Sequence, residues 1–465
     1  MIMRKEHLIF VCSVVFTLLF YNESVGLNLS LFGFVLLALM YYFFRKQFID
    51  SSYYVLTFTS VLSCFAFAWY GDFVSFVAVF LSIIFLQFKI NEPKLKLILS
   101  LPILFINSIA SIVRIFQFSE WLPARKTENF FIKKLIAYFL IPGIFISLFC
   151  IIYSFGSDSF SGLFFKYTLD INLPQAISMV VLGFYFSFSF WNFWVPEIIA
   201  ENSSKLDNDF TDKTSSEQEP TFLLLDLDIN FERKSGEITL LLLNVLLIIF
   251  IGMYNYEQFF QETITTTLSA ATHERVNAVV FSIIMAVGVV LFYFKGSFNF
   301  DIKAKRLKVL TKIWVLLNGL LILSTIIKNT EYVLNFGLTY KRLGVFAFLI
   351  LALIGLYVTF LKIYNKKTNA YLFNQMFWCF YGTILLCSFV NWGGIITNYN
   401  ISVNRGVEPV FLSKLNFNDD ARRDFFLKSK LDGQYNEISR EGEIEEMQSE
   451  SFLSKALYYE FISKK

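Results

Sequence analysis

The chain of 465 residues is 56% apolar, 19% aromatic and 17% charged, and its mean hydropathy is +0.57. Soluble globular proteins contain about 45–50% apolar and about 25% charged residues, so this composition excludes an ordinary soluble protein and indicates several membrane spans. The formal net charge of +3 is small and no dense basic block occurs, so we expect no nucleic-acid partner.

Apolar runs of span length occur along most of the sequence. A membrane-spanning helix needs about 20 apolar residues. Suitable runs lie at 7–21, 25–44, 54–70, 72–89, 133–155, 174–196, 236–254, 274–294, 309–328, 343–363 and 373–395. They predict an all-α fold, namely a polytopic transmembrane helical bundle with about 11 spans (10–12) and a small amphipathic C-terminal tail.

These runs divide the chain into successive regions. In order, they are N-terminal helical hairpins with about four spans (1–96), a basic interfacial or re-entrant segment (97–134), membrane helices (135–196), an acidic soluble linker (197–235), membrane helices that carry two of the motifs described below (236–396) and a soluble C-terminal tail (397–465). The linker is also rich in Ser and Asn, which is typical of a solvated segment.

The run at 97–118 is ambiguous, because it contains Pro102 and Arg114 and follows two lysines. Cytoplasmic loops are enriched in Lys and Arg. If this run crossed the membrane, the basic residues on its two sides would lie on opposite faces. If it lies in the interface or re-enters, the basic loops share one face: 45–47, 89–134, 295–308 and 362–367. We therefore predict the second arrangement, with a cytoplasmic N-terminus and an extracytoplasmic C-terminal tail.

Potential metal ligands are sparse. The two histidines, His7 and His273, are far apart, and each of the five cysteines lies inside an apolar run. Metal sites need several such ligands close together. We therefore expect no metal and no cofactor.

The motif HERVN (273–277) stands at the start of an apolar run. Residues three or four apart share a helix face, so His273 and Asn277 line one edge of the predicted helix. Glu274 and Arg275 lie beside this edge. One interpretation is that these charges mark the bilayer boundary, with Arg275 reaching lipid headgroups. The other is a polar site at the membrane surface.

The motif FGLTYKRLGV precedes a later apolar run. Its Gly337 permits an unusual backbone conformation, and Thr339 can cap the following helix. Lys341 and Arg342 then fall in the first helical turn, where the positive end of the helix dipole disfavours cations. We therefore expect a counter-charge from lipid phosphate, Glu274 or a bound anion, although these cations could also simply mark the membrane boundary.

A third motif, NYNISVNR, follows the last predicted span and contains Asn398, Tyr399, Asn400 and Arg405. Its Asn and Tyr side chains can form hydrogen bonds at interfacial depth, or mark the boundary. HERVN and FGLTYKR each begin a span, two crossings apart, and NYNI follows the last span two crossings later. The three motifs therefore share one face, which the charge pattern predicts to be the outer one. We expect them to form one polar extracytoplasmic cluster around a vestibule.

Several stretches occur in a recognisable order over roughly 125–425: KKLIAYFLIPGIFISLFCIIYSFGSDSF, ITLLLLNVLLIIFIGMYNYEQFF, HERVN, IWVLLNGLL, FGLTYKRLGV and TNYNI. In these stretches the chain resembles a bacterial membrane family known as domain of unknown function 4153, with its relative 4173. The resemblance implies an integral protein of the bacterial inner membrane and brings no established activity with it.

Three functional hypotheses stay open. The first is a non-enzymatic protein that senses or binds something at the outer face, or serves as a subunit of an envelope complex. The second is a transporter or lipid-handling protein, against which the lack of acidic residues in mid-span and of internal repeats counts. The third is an enzyme for lipid-linked substrates, with His273 or Glu274 as base and Lys341 or Arg342 holding phosphate. We favour the first, with membrane lipid and a membrane or envelope protein as partners.

Overall fold

The computed structural model describes residues 5–45, 51–122, 173–210, 229–260, 268–294, 296–429 and 441–462, together with five single positions between 138 and 153. In this part of the chain every regular element is a helix. The predicted all-α fold is therefore confirmed.

The described helices follow one another in a fixed order. They are α1 (Lys5–Phe20), α2 (Leu27–Phe44), α3 (Ser51–Tyr70), α4 (Phe73–Asn91), α5 (Ser100–Arg114), α6 (Phe118–Trp121), α7 (Leu173–Trp191), α8 (Glu197–Glu201), α9 (Ile229–Phe259), α10 (Leu268–Tyr293), α11 (Lys305–Phe336), α12 (Tyr340–Tyr364), α13 (Asn369–Phe389), α14 (Trp392–Val403), α15 (Pro409–Ser413), α16 (Asp419–Lys428), α17 (Glu441–Ser449) and α18 (Leu457–Phe461). Short 3₁₀ turns lie at Leu97–Leu99, Asn202–Leu206 and Ser297–Asn299.

Eight described segments are long and apolar enough to cross a membrane: Leu27–Phe44, Ser52–Tyr70, Phe73–Asn91, Leu97–Arg114, Ile229–Glu257, Lys305–Phe336, Tyr340–Tyr364 and Asn369–Phe389. Large apolar side chains such as Phe58 and Phe281 are exposed on the outside of the bundle, as expected of helices that face lipid. The chain is therefore a multi-pass membrane protein. The count of about 11 spans stays a prediction, and most of the predicted span 133–155 lies outside the described residues.

Buried apolar side chains form two main clusters. One joins α1–α4 with α7 and α13, and the other joins α9–α12. One polar network lies inside the first cluster. The hydroxyl of Tyr381 in α13 bonds the hydroxyls of Ser82 at 2.8 Å and Thr59 at 2.9 Å. Such pairing is what a polar group needs in an interior that excludes water.

The connections between helices collect at two ends of the bundle. One end, which we call the loop end, comprises residues 92–96, 192–210, 296–304 and 365–368. The opposite end, which we call the tail end, comprises the turns 21–26, 71–72 and 337–339 with the described residues of 390–462. At the loop end the amine of Lys362 donates to the Phe294 carbonyl at 2.7 Å. At the tail end the Leu27 N–H donates to the Lys455 carbonyl at 3.2 Å.

The predicted C-terminal tail packs against the bundle as several short helices. Helices α14–α16 share an apolar cluster with the ends of α11 and α12, formed by Val333, Leu338, Ile396, Leu412, Leu415 and Phe426. Farther along the chain, the Phe461 ring stacks on Trp69 at the end of α3, with ring centroids 5.5 Å apart. The tail region therefore covers the ends of both halves of the bundle.

The ambiguous run forms the turn Leu97–Leu99 and α5. Just before it, Lys96 pairs with Asp207 at 3.3 Å. At its other end, Arg114 donates to the Asn192 carbonyl at 3.1 Å. Asp207 and Asn192 both belong to the loop end, so α5 begins and ends on one side of the bundle. This supports the predicted interfacial or re-entrant placement, which stays a prediction because the segment is also long and apolar enough to cross.

Candidate functional site

HERVN lies in the first turns of α10. The side chains of its His273, Glu274, Arg275 and Asn277 are outside the described residues. Whether they meet Arg342 around one vestibule therefore stays a prediction, and the site is built below from the other two motifs.

A glycine joins α11 to α12 at the tail end. Gly337 has a φ of +82°, and its N–H donates to the Val333 carbonyl at 2.8 Å, which ends α11. A side chain here would come within 2.8 Å of the Arg405 carbonyl oxygen and 2.9 Å of Asn400 Oδ1. Both the left-handed backbone and the close approach of the NYNISVNR segment require glycine at this position.

Asn400 connects this turn to the end of α14. Its Oδ1 accepts from the Leu338 N–H at 2.6 Å, and its Nδ2 donates to the carbonyls of Leu338 and Gly406, each at 3.1 Å. The Arg405 N–H donates to the Asn400 carbonyl, also at 3.1 Å. The side chain is fully buried, so its bonds replace water completely. FGLTYKR and NYNISVNR therefore contact each other at Asn400, while their cluster with HERVN stays a prediction.

Arg342 is held by the end of the preceding helix. Thr339 caps α12 as predicted, with its hydroxyl accepting from the Arg342 N–H at 3.3 Å. The Arg342 guanidinium donates to the carbonyls of Phe336, at 3.1 Å, and of Gly337, and lies 4.4 Å from the centroid of the Tyr332 ring. These carbonyls are at the negative end of the α11 dipole. They and the aromatic face supply the counter-charge that the sequence led us to expect from a phosphate, Glu274 or an anion.

The side chains of the remaining predicted residues do not take part in these contacts around Gly337. Lys341, Asn398 and Arg405 have exposed side chains. Tyr399 is half-buried and packs against the apolar cluster of the tail region. The structure thus brings Thr339, Arg342, Asn400 and the Arg405 backbone together around the Gly337 turn, while the other side chains lie at its surface.

A cavity of about 370 Å³ opens beside Arg342. Its lining comprises Phe336, Thr339, Arg342, Gly406, Glu408, Val410, Phe411 and Lys414. Five of these eight residues come from the segment 406–414, which the sequence analysis connected to no site. Pro409 begins α15, which crosses the N-terminal end of α12. This proline was the signal in the sequence that a short helix starts here.

A buried ion pair supports the segment behind the cavity. Arg422 donates to the Asp419 carboxylate at 2.8 Å, and the two side chains are only 5% and 7% exposed. The Tyr458 hydroxyl donates to the second oxygen of Asp419 at 3.3 Å. Burial, together with the adjacent carboxylate, raises the pKa of Tyr458 above its usual range. Two separate parts of the tail region are thereby joined through Asp419.

A second set of charged residues lies at the loop end. The sequence analysis did not predict a site there. Arg233 at the start of α9 pairs with Asp301 at 2.8 Å, and Lys362, fully buried, bonds the Phe294 carbonyl. Burial by itself would raise the pKa of Asp301, but hydrogen bonds from Arg233 and the Lys303 N–H outweigh it and lower that pKa. The basic loop 295–308 could have indicated this site, but the sequence analysis used it only to predict the membrane orientation.

The profile of a family described as a domain of unknown function, DUF4153, matches residues 11–422. The chain belongs to the DUF4153 family. The DUF4153 match begins within α1, upstream of the stretches that carried the resemblance in sequence, and it ends at Arg422 in α16. No curated protein and no solved structure matches this DUF4153 protein. In the described part of the chain no group of His, Cys, Asp or Glu is arranged to hold a metal ion.

Proposed function

We propose that this DUF4153 protein is a non-enzymatic binding subunit of a complex in a bacterial envelope. In this proposal it spans the inner membrane, with its N-terminus in the cytoplasm, and its tail-end cavity receives a segment of a membrane or envelope protein. The observation that carries the proposal is the cavity between Arg342 and the segment 406–414, whose walls combine a fixed cation with exposed apolar side chains.

The chemistry of the cavity fits a protein segment. Arg342 is fixed by the Phe336 and Gly337 carbonyls, so little side-chain entropy is lost when it binds a partner. Glu408 and Lys414 add one charge of each sign, and Val410 is 59% exposed. Protein interfaces combine arginine and apolar anchors with a charged rim. A segment carrying one acidic and one apolar side chain would satisfy these walls.

Charge distribution supports the proposed orientation. Lysines are concentrated at the loop end, where they include Lys94, Lys96, Lys303, Lys366 and Lys367. The short turns of the tail end contain Glu23 and Asp72 instead. Because short cytoplasmic loops are enriched in Lys and Arg, the loop end would face the cytoplasm and the cavity would face outward.

Site-directed photocrosslinking tests the proposal. A photoreactive amino acid replaces Val410, inside the cavity, or Leu427, which is similarly exposed on α16 but outside the cavity lining. Crosslinking is performed in the native cells, and the products are identified by mass spectrometry. We expect one discrete protein adduct from position 410 and none from position 427.

Charge variants provide the control. Lys414→Glu should reduce the adduct from position 410 several-fold, because it reverses a charge in the cavity lining. Lys428→Glu makes the same change on exposed α16 and should leave the adduct intact. Adducts of lipid mass alone, or equal protein adducts from both positions, would contradict the proposal.

A further inference from the structure

A basic cavity of about 500 Å³ lies at the loop end, on the side of the bundle opposite to the proposed partner site. Its lining comprises Asn230, Phe231, Arg233, Lys234, Glu237, Lys303 and Arg306. The first five belong to the start of α9, and the last two flank the start of α11. The lining therefore contains four cationic side chains and one carboxylate.

The cations of this cavity are only partly neutralised. Asp301 accepts from Arg233 through Oδ2 and from the Lys303 backbone N–H through Oδ1, both at 2.8 Å, so both of its oxygens are occupied. The side chains of Lys234, Lys303 and Arg306 are exposed, and no ion pair joins them to another described residue. An excess of positive charge therefore remains at the cavity.

Close helix packing and hydrogen bonds hold the residues that line the cavity in place. Gly236 lets α9 approach so closely that an added methyl group would lie 2.9 Å from Leu307 and 3.0 Å from Tyr293. Arg233 is fixed from two sides, by Asp301 and by Asn230 Oδ1 at 2.7 Å. The cations consequently occupy a preformed arrangement. Preformed sites lose less entropy when an anion binds.

Apolar side chains beside these cations place the cavity at the boundary of the hydrocarbon layer. Ile302 is 93% exposed and directly precedes Lys303, and Phe231 in the lining is 67% exposed. The candidate spans Ile229–Glu257 and Lys305–Phe336 both begin here, so their positive dipole ends add to the field of the side chains. Cations flanked by exposed apolar groups match a phosphate attached to acyl chains.

We propose that this loop-end cavity binds a phosphate group, through Lys234, Lys303 and Arg306, with Arg233 fixed behind them. The phosphate belongs either to the headgroup of an anionic phospholipid or to a soluble phosphate compound, and both offer the same oxygens to the same cations. This site is separate from the tail-end cavity, so either proposal can fail without the other.

Lipid titration followed by native mass spectrometry tests the site. The detergent-purified full chain is titrated with dioctanoyl phosphatidylglycerol or with zwitterionic dioctanoyl phosphatidylcholine, and inorganic pyrophosphate serves as a competitor. The variant Lys303→Glu/Arg306→Glu is compared with Lys94→Glu/Lys205→Glu, which changes the net charge equally at exposed loop-end positions outside the cavity. Thermal unfolding confirms that both variants are folded.

We expect phosphatidylglycerol to bind at least about tenfold more weakly to the cavity variant than to the control variant, because two charge-assisted contacts are reversed. Phosphatidylcholine, whose quaternary ammonium cancels the net charge of its phosphate, should show a smaller difference. Displacement of the lipid by pyrophosphate at similar concentrations would identify a soluble phosphate as the ligand, whereas resistance to it would identify the lipid headgroup. Equal binding of phosphatidylglycerol to the two variants would overturn the proposal.

Discussion

The side chain of Asn400 bonds both backbone groups of Leu338, accepting from its N–H at 2.6 Å and donating to its carbonyl at 3.1 Å. This single amide joins the end of α14 to the turn between α11 and α12. Because it is fully buried and also bonds Gly406, no water can replace it when it is removed.

Asn400→Ala should therefore lower the free energy of unfolding by about 2–3 kcal/mol, because buried backbone groups lose their partners. Asn398→Ala is the matched control, since this asparagine lies two residues away and is exposed. It should change stability by less than about 0.5 kcal/mol. Unfolding by denaturing detergent in mixed micelles measures both values. Equal effects of the two substitutions would contradict the role of Asn400.

Gly337→Ala should also destabilise the tail end, by about 2 kcal/mol, because the residue has a φ of +82° and a neighbouring oxygen lies 2.8 Å from the added methyl group. Gly344→Ala in α12 provides the opposite control, as no atom lies within 4 Å of its added methyl group. Alanine in a helix should stabilise there by up to about 1 kcal/mol. Thermal unfolding of the two purified variants should show shifts of opposite sign.

Arg342→Ala should lower the free energy of unfolding by about 1–2 kcal/mol, because the ends of α11 and α12 lose the guanidinium bridge and its ring contact with Tyr332. Lys341→Ala removes an equal charge from the adjacent exposed position and should cost less than about 0.5 kcal/mol. The same detergent titration compares them. If Lys341 proved as important as Arg342, a shared anion would be a better explanation than the α11 carbonyls.

Much of the fold was predictable from composition, because span-length apolar runs need few further contacts to define a helix. Parity predicts only that FGLTYKR and NYNISVNR lie on the same face, and the contact between them depends on packing. Which asparagine is buried depends on the phase of α14, whose Gly393, Ile396 and Asn400 recur at helical spacing on the buried face. This spacing is present in the sequence, but it identifies the buried asparagine only when the first residue of α14 is known.

The contribution of the tail was not predictable. Glu408 and Lys414 reach the cavity because the chain turns back across α12, and a composition rich in charge gives no indication of where a segment will dock. The same limit applies to Lys362, whose burial depends on the carbonyl of Phe294, just after the end of α10. Contacts between distant segments are set by packing, which hydropathy does not encode.

Asp301→Asn should reveal a pH-dependent contribution to stability at the loop end. The folded-state pKa of Asp301 lies below its unfolded value, so its contribution is present above about pH 4 and is lost as the pH falls through the folded pKa. The variant should be about 1–2 kcal/mol less stable than the parent at pH 7. This difference in the free energy of unfolding should become smaller below about pH 4. Asp209→Asn, at a 70% exposed carboxylate, should show almost no gap at either pH.

The orientation of the chain in the membrane decides which of the two cavities faces the cytoplasm. Ser402→Cys places a thiol at the exposed tail end, and Lys303→Cys places one at the exposed loop end. A membrane-impermeant maleimide added to intact spheroplasts should label position 402 and should label position 303 only after permeabilisation, because short basic loops stay in the cytoplasm. The parent chain controls for its native cysteines, of which Cys12 and Cys64 are buried. The reverse labelling pattern would move the phosphate-binding cavity to the outer face and the partner site to the inner one.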